Sequence, residues 1–343
     1  MLTDTYKEDE IHALIALDEL ASPLNNPNDA PHVHAPKNIA EAQTYFRRFA
    51  VDITPTFPML KIKKLVQEKN GELILTKTGK EVADELRLLR PPIYYWYRDF
   101  YAAIENSQAF DEYSKRVFGA NFGQHGFSDV HQIQKMLDLL KLNQSSMVLD
   151  IGCGNGKMAE YISDLTQASV TGFDYIPEAI AQAIKRTQSK GNRLTFKVAN
   201  LEFLDFTPES FNVIISIDTI FFGRKMENTI SSLTRMLKAG GQMAVFNSNY
   251  QQGDFLAALA MNNLAYQVYD FGPEHIKHML LKHKVANELE QAFMSEGNAF
   301  VWQNLMAESF ADLNFPEQPG FNPKTRYLYI VKKADKLVDQ EVK

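Results

Sequence analysis

The apolar and polar positions of this chain follow two patterns. Between Met147 and Phe246, short apolar runs (Met147–Asp150, Ser169–Asp174, Leu194–Ala199, Phe211–Asp218, Gln242–Phe246) alternate with stretches of helical spacing. These runs predict strands, and their alternation with helices predicts an α/β fold. Ser128–Leu142 is an amphipathic helix leading into the first strand, and Thr325–Lys332 supplies a last one. Ahead of this block, residues 7–21 form a short helix with Ile11, Leu14, Ile15 and Leu20 on one side, followed by a polar, Pro/Asn-rich link from Ser22 to Lys37. From Ile39 to Arg90 the pattern reads helix, break at Pro55 and Pro58, helix, strand (Glu72–Thr76), helix (from Thr78). Tyr250–Phe315 reads as three helices, Gly253–Leu264, Pro273–Met294 and Asn298–Phe310. The expected domains are a helical N-terminal domain over 1–110, an α/β core over 111–249 and 316–336, and a helical cap inserted at 250–315.

The chemistry concentrates where the first strand ends. Met147–Met158 reads Met-Val-Leu-Asp-Ile-Gly-Cys-Gly-Asn-Gly-Lys-Met: a strand delivers Asp150, and a turn on Gly152, Gly154 and Gly156 opens a helix. Glycines let backbone and ligand approach closely, and the helix start points unsatisfied N–H groups at the ligand. Asp174 ends the next strand, 18 residues after Gly156, where a carboxylate accepts hydrogen bonds from ribose hydroxyls. This is a nucleotide pocket. A nicotinamide-dinucleotide domain is one alternative, in which Asp150 is surplus and the third glycine usually stands one residue later. Cys153 lies inside the turn, where a small packed side chain is required.

These motifs, with the strand order that follows them, resemble the class I S-adenosylmethionine-dependent methyltransferases over roughly residues 110–247. The resemblance implies a Rossmann-like α/β fold, with a seven-stranded sheet and helices on both faces, and S-adenosyl-L-methionine as cofactor. It places Asp150 and the backbone of Gly152, Gly154 and Gly156 at the methionine moiety, Asp174 at the ribose, and Tyr175, Ile176, Asn200 and Leu201 around the adenine. Asn200 stands where many relatives carry an aspartate; an amide both donates and accepts, so adenine binding survives the change. The approach from Tyr113 to Gly126 resembles the phosphoethanolamine and sarcosine/glycine N-methyltransferases, whose loop folds over the donor. The likeness puts Tyr113, Phe122 and Gln124 near the sulfonium and the reacting atom. Ser216 and Asp218 match a serine and aspartate at the fourth strand's tip, but Phe222 occupies the place of the family's histidine. The family's Tyr/His pair is therefore absent, which speaks against a phosphobase acceptor. Asp218 becomes the expected substrate-side carboxylate, with a helix cap as its structural alternative, and His125 a candidate base by its ordinary pKa. His275, His278 and His283 are expected on exposed helix faces rather than at a metal.

The order strand, Leu-Thr-x-x-Gly, helix at 72–87 looks like a winged-helix module, used for DNA contact or for dimerisation and substrate covering. Residues 41–90 carry ten basic and seven acidic side chains, too small a surplus to favour DNA. The aromatic run Tyr94–Tyr101 reads as a helix packed on the catalytic domain, or as a cap whose ring faces hold a cationic amine. A net charge of −6 gives no footprint for a nucleic-acid backbone, and one cysteine forms no internal disulfide. Neither a signal peptide nor a membrane span is expected, which points to the cytoplasm. Three functions compete: methylation of a small molecule, at nitrogen before oxygen or carbon and with a possible homodimer; methylation of nucleic acid or protein; and a non-catalytic, donor-sensing DNA regulator.

Overall fold

The computed structural model describes residues 5–21, 54–90, 93–223, 225–248, 252–314 and 325–334. The Pro/Asn-rich link, the helix expected from Ile39 and the tail beyond Ala334 lie outside the described residues. The chain folds as two compact units, Met1–Phe100 and Tyr101–Lys343. This division falls ten residues before the boundary expected at 110.

In the first unit, helix α1 (Glu8–Ala21) opens on three acids, Glu8, Asp9 and Glu10, which suit the positive end of a helix. It buries Ile11, Leu14, Ile15 and Leu17. Helix α2 (Phe57–Ile62) leads into a hairpin of β1 (Val66–Lys69) and β2 (Glu72–Leu75). β1 escapes the apolar pattern because only Val66 of its four residues is buried. Helix α3 (Lys77–Leu89) begins where the Thr76 hydroxyl accepts the Gly79 N–H at 3.0 Å, the expected cap of the Leu-Thr-x-x-Gly motif. Its Arg87 donates at 2.6 Å to Asp18, tying α3 to α1 through a buried ion pair. Helix α4 (Ile93–Ile104) carries the aromatic run and contains the boundary between the units.

The second unit continues with α5 (Gln108–Phe118), capped by Ser107 and closed by Gly119 in the left-handed region, and α6 (Val130–Leu140), capped by Asp129. Then the alternation begins: β3 (Met147–Ile151), α7 (Lys157–Thr166), β4 (Ser169–Asp174), α8 (Pro177–Thr187), β5 (Leu194–Val198), β6 (Phe211–Ile217), α9 (Met226–Met236), β7 (Leu237–Asn247) and α10 (Gln252–Met261). The chain ends with β8 (Ala265–Asp270), α11 (Gly272–Glu288), α12 (Glu290–Ser295), α13 (Ala299–Asn314) and β9 (Tyr327–Lys332). The seven strands lie in the order β5-β4-β3-β6-β7-β9-β8, all parallel except β9. β3 stands at the switch point: successive strands add on one side through β5, then on the other from β6. In such sheets the ligand crevice opens at the carboxyl ends of the strands beside that reversal. Leu149, Ile151, Ile214, Met243 and Val245 of the sheet pack with Ile230, Leu233 and Phe255 in one core. Each such side chain contributes about 1.5–3 kcal/mol by leaving water.

The expectation of an all-helical insertion over 250–315 is corrected here. α10 packs Phe255, Ala258 and Leu259 into the sheet's core, and β8 joins the sheet, paired residue by residue to β9. Tyr266 and Tyr269 therefore lie on an edge strand and not in a cap. Ala265–Asp270 is exposed along most of its length, so pairing to β9 makes it a strand while its burial pattern gives no sign of one. The inserted helices are α11, α12 and α13, and they leave the sheet at the end of β8, which points the same way as β7. The helix expected over 273–294 divides at Leu289. Among the described residues no helix is long and apolar enough to cross a membrane.

Candidate active site

The crevice floor is built from backbone. Gly152, Gly154 and Gly156 have φ of 66°, 54° and 75°, the left-handed region that side chains with a Cβ rarely adopt. Space forbids side chains as well: a Cβ on Gly152 would collide with Thr219, and one on Gly154 with the Tyr101 hydroxyl. Asp174 accepts the N–H of Gly154 at 2.9 Å and of Ile176 at 3.0 Å, so one carboxylate shapes both the turn and the tip of its own strand. Asp150 lies beside it, also buried, and its Oδ2 has no hydrogen-bond partner. Burial, then the neighbouring Asp174, pushes the Asp150 carboxyl up to about 7. Burial raises Asp174 to about 6 against the backbone N–H groups that favour its charge. An orphaned buried oxygen calls for a ligand or water.

The remaining cofactor-side expectations fall around this turn with unequal freedom. Ile176 is fully buried and Tyr175 half-buried just beyond Asp174. Asn200 uses its carbonyl oxygen to accept the Glu202 N–H at 2.9 Å, and Leu201 packs on the core. Ser216 is occupied within the protein: its hydroxyl accepts the Ile220 N–H at 3.1 Å, holding the turn after β6. Cys153 packs under Gly172, and burial lifts its thiol far above the ordinary range. Phe122 stacks edge-on against Tyr161 at 5.0 Å. The Gln124 amide donates to the Ser128 carbonyl at 2.6 Å, so this residue stiffens the loop from Ala120 to Asp129.

Asp218 ends the fourth strand of the alternation in a left-handed conformation, φ 55°. It is not open to a ligand on all sides. Arg326, fully buried at the start of β9, grips both its oxygens, one through NH1 and the other through NH2 at 3.0 Å. The same guanidinium donates to Ser128 Oγ at 2.6 Å, Gln132 Oε1 at 3.1 Å and Ser248 Oγ at 3.3 Å. Asp218 also accepts the Phe127 N–H at 3.3 Å. One arginine thus binds the loop, α6 and the tips of β6 and β7 together.

Beyond this clamp lies a polar cluster that the sequence reading missed. His275 and His278 are buried, at 1% and 7% exposure, which corrects their expected place on an exposed face; His283 is half-buried. His275 and His278 share the inward face of α11 with Met279, Val285 and the fully buried Lys282. The Lys282 ammonium donates at 2.5 Å to Glu308 of α13 and at 3.1 Å to the Gly126 carbonyl, and sits 4.6 Å from the centre of the Phe127 ring. His125 Nε2 faces the other Glu308 oxygen at 3.7 Å. Tyr113 is fully buried with its hydroxyl unpartnered, and burial, with Glu308 next, holds that hydroxyl well above its usual pKa. Three of the candidates named from sequence, Tyr113, His125 and Asp218, thus border one region with Lys282, Glu308 and Arg326. A signal existed: positions 275, 278, 282 and 285 follow the i, i+3, i+7 stripe of a core-facing helix, so polar residues on it are buried ones.

Residues 142–295 match a family model described as a methyltransferase domain. The chain is 29% identical over 138 residues to sterol methyltransferase-like 1 of Botryococcus braunii, covering 40% of this chain and 35% of that protein. It is 28% identical over 131 residues to a phosphoethanolamine N-methyltransferase of Triticum aestivum, covering 38% of this chain and 26% of the relative. The match thus spans about a third of the length of these relatives or less. In fold it is similar to phosphoethanolamine N-methyltransferase 2 of Haemonchus contortus, with a TM-score of 0.57 at 18% identity, over 70% of this chain and 60% of the other.

Proposed function

We propose, from the premise that residues 142–295 form a methyltransferase domain, that this protein moves a methyl group from S-adenosylmethionine to a small-molecule acceptor, with an amine nitrogen the first choice. One observation carries the reading: two buried carboxylates at neighbouring strand tips, Asp150 with an orphaned oxygen and Asp174 on the glycine turn. The donor's sulfonium activates the methyl group for displacement by a nucleophile. Asp174 would hold the ribose hydroxyls, the glycine backbone and Asp150 the methionine end, and Tyr175, Ile176, Asn200 and Leu201 the adenine. Tyr101 and Thr219, which crowd the glycines, add walls to that pocket. The residues Ala120–Asp129, held by Arg326 and Lys282, exclude water and position the acceptor, the two contributions a protein makes to such a transfer. Asp218, Tyr113 and His125 belong to the acceptor side, Asp218 through the loop it anchors. The N-terminal unit, with its hairpin and capped helix, is read as a dimerisation or substrate-covering module.

Two measurements test the proposal. Calorimetry should show S-adenosylmethionine binding and no tight uptake of a nicotinamide dinucleotide; the reverse result refutes it. Labelled donor incubated with a metabolite extract should yield a product heavier by about 14 Da, one methylene per transfer. Label appearing only in RNA or protein would reject a small-molecule acceptor.

A further inference from the structure

We infer that the acceptor is recognised under the inserted helices by Tyr113 and His278, through an uncharged hydroxyl or carbonyl group, and enters without net charge. This rests on the methyl-transfer reading and narrows its acceptor class. It starts from two orphans: the Tyr113 hydroxyl and His278 Nε2 are buried hydrogen-bonding atoms without a partner, one from α5 and the other from α11. Both rings flank Phe118, Tyr113 at 6.0 Å and His278 at 5.4 Å between centres. Buried polar atoms left unsatisfied cost about 1–3 kcal/mol each, and two around one aromatic ring mark a place where a ligand completes the bonding.

The charges around that place are already matched. Lys282 is paired with Glu308, and Arg326 with Asp218. Burial, then Lys282, His275 and Arg326, hold His278 down to about 3 against the opposing pull of Glu308, so its imidazole is neutral at physiological pH and can both donate and accept. An ammonium brought here meets two cations, Lys282 and Arg326, and both nearby carboxylates are already engaged by them. A carboxylate or phosphate meets no unpaired cation, since Lys282 and Glu308, and Arg326 and Asp218, cancel in pairs. A neutral group with an oxygen atom meets a phenolic O–H, an imidazole and the faces of Phe118 and Phe127, and leaves nothing unpaired. Sites built to hydrogen-bond a hydroxyl reject the analogue that lacks it strongly, because the orphans return.

The test uses the full chain loaded with S-adenosylhomocysteine and three probes of one shape: 4-aminophenol (neutral), tyramine (cationic) and 4-hydroxybenzoate (anionic), titrated by ligand-observed NMR. The neutral probe should bind at least about tenfold more tightly than either charged one. Tyr113→Phe and, separately, His278→Leu should each weaken it about tenfold while S-adenosylhomocysteine affinity stays unchanged. Equal or tighter binding of a charged probe, no binding of any probe, or an unchanged affinity in Tyr113→Phe overturns the inference. Failure of the wild-type chain to bind S-adenosylhomocysteine would instead overturn the methyl-transfer reading.

Discussion

The glycine-turn crevice and the polar cluster under the inserted helices lie in the same unit but are built by opposite means. The crevice is local: its linking hydrogen bond joins Gly154 to Asp174, 20 residues apart, and much of its surface is backbone. The cluster is long-range: Arg326 reaches Ser128 across 198 residues, and Lys282 reaches Gly126 across 156. A backbone site tolerates drift in neighbouring side chains and suits a cofactor shared by many enzymes. A site assembled from distant helices changes with any of them, and suits the choice of acceptor.

The sharpest way to break this contrast is Arg326→Met, which leaves Asp218 buried without its partner. Loss of one member of a buried pair should cost about 3–5 kcal/mol, read from denaturant unfolding, and a loss under about 1 kcal/mol would show that the arginine is not the clamp described. Next in size, Asp174→Ala should weaken donor binding about a hundredfold, the scale of a lost hydrogen bond to a charged group, with calorimetry as the check. Unchanged donor affinity would remove the ribose assignment. Asp218→Asn keeps the shape and loses the charge; turnover should fall about tenfold or more through the loosened loop while donor affinity holds, and full activity would discard its acceptor-side role.

The smallest expected effect is in pH. Asp150 and Asp174 are raised by burial to about 7 and about 6, above the carboxylate value of 3.8. Between that value and these the folded chain binds more protons than the unfolded one. Their stability contribution is therefore complete below pH 3.8 and lost as pH rises through about 6 and then about 7. Donor binding should run the other way, weakening several-fold as pH falls from about 7.5 to about 5.5, because a protonated Asp174 is a poorer acceptor for hydroxyls. A donor affinity that is flat over that range would break the link between the paired carboxylates and the ligand.

The strands of the alternation and the crevice were legible because their causes are short-range. Apolar runs name strands, three closely spaced glycines name a turn, and an acid at a strand end names a ligand contact. β8 was not legible, since its strand character comes from pairing with β9 and not from its own burial pattern. Phe122, Gln124 and Ser216 were placed near the ligand by resemblance, and the structure shows the bonds and stacks each makes within the protein.

Sequence alone therefore determined the glycine-turn crevice of this protein: which turn must be glycine, and which two carboxylates stand at the strand tips. Only the tertiary structure decided the polar cluster under the inserted helices. Whether His278 is exposed or buried neutral, and whether Asp218 is open or bound by Arg326, depends on segments that meet across more than a hundred residues. Burial and charge pairing are properties of that meeting, and no local pattern encodes them.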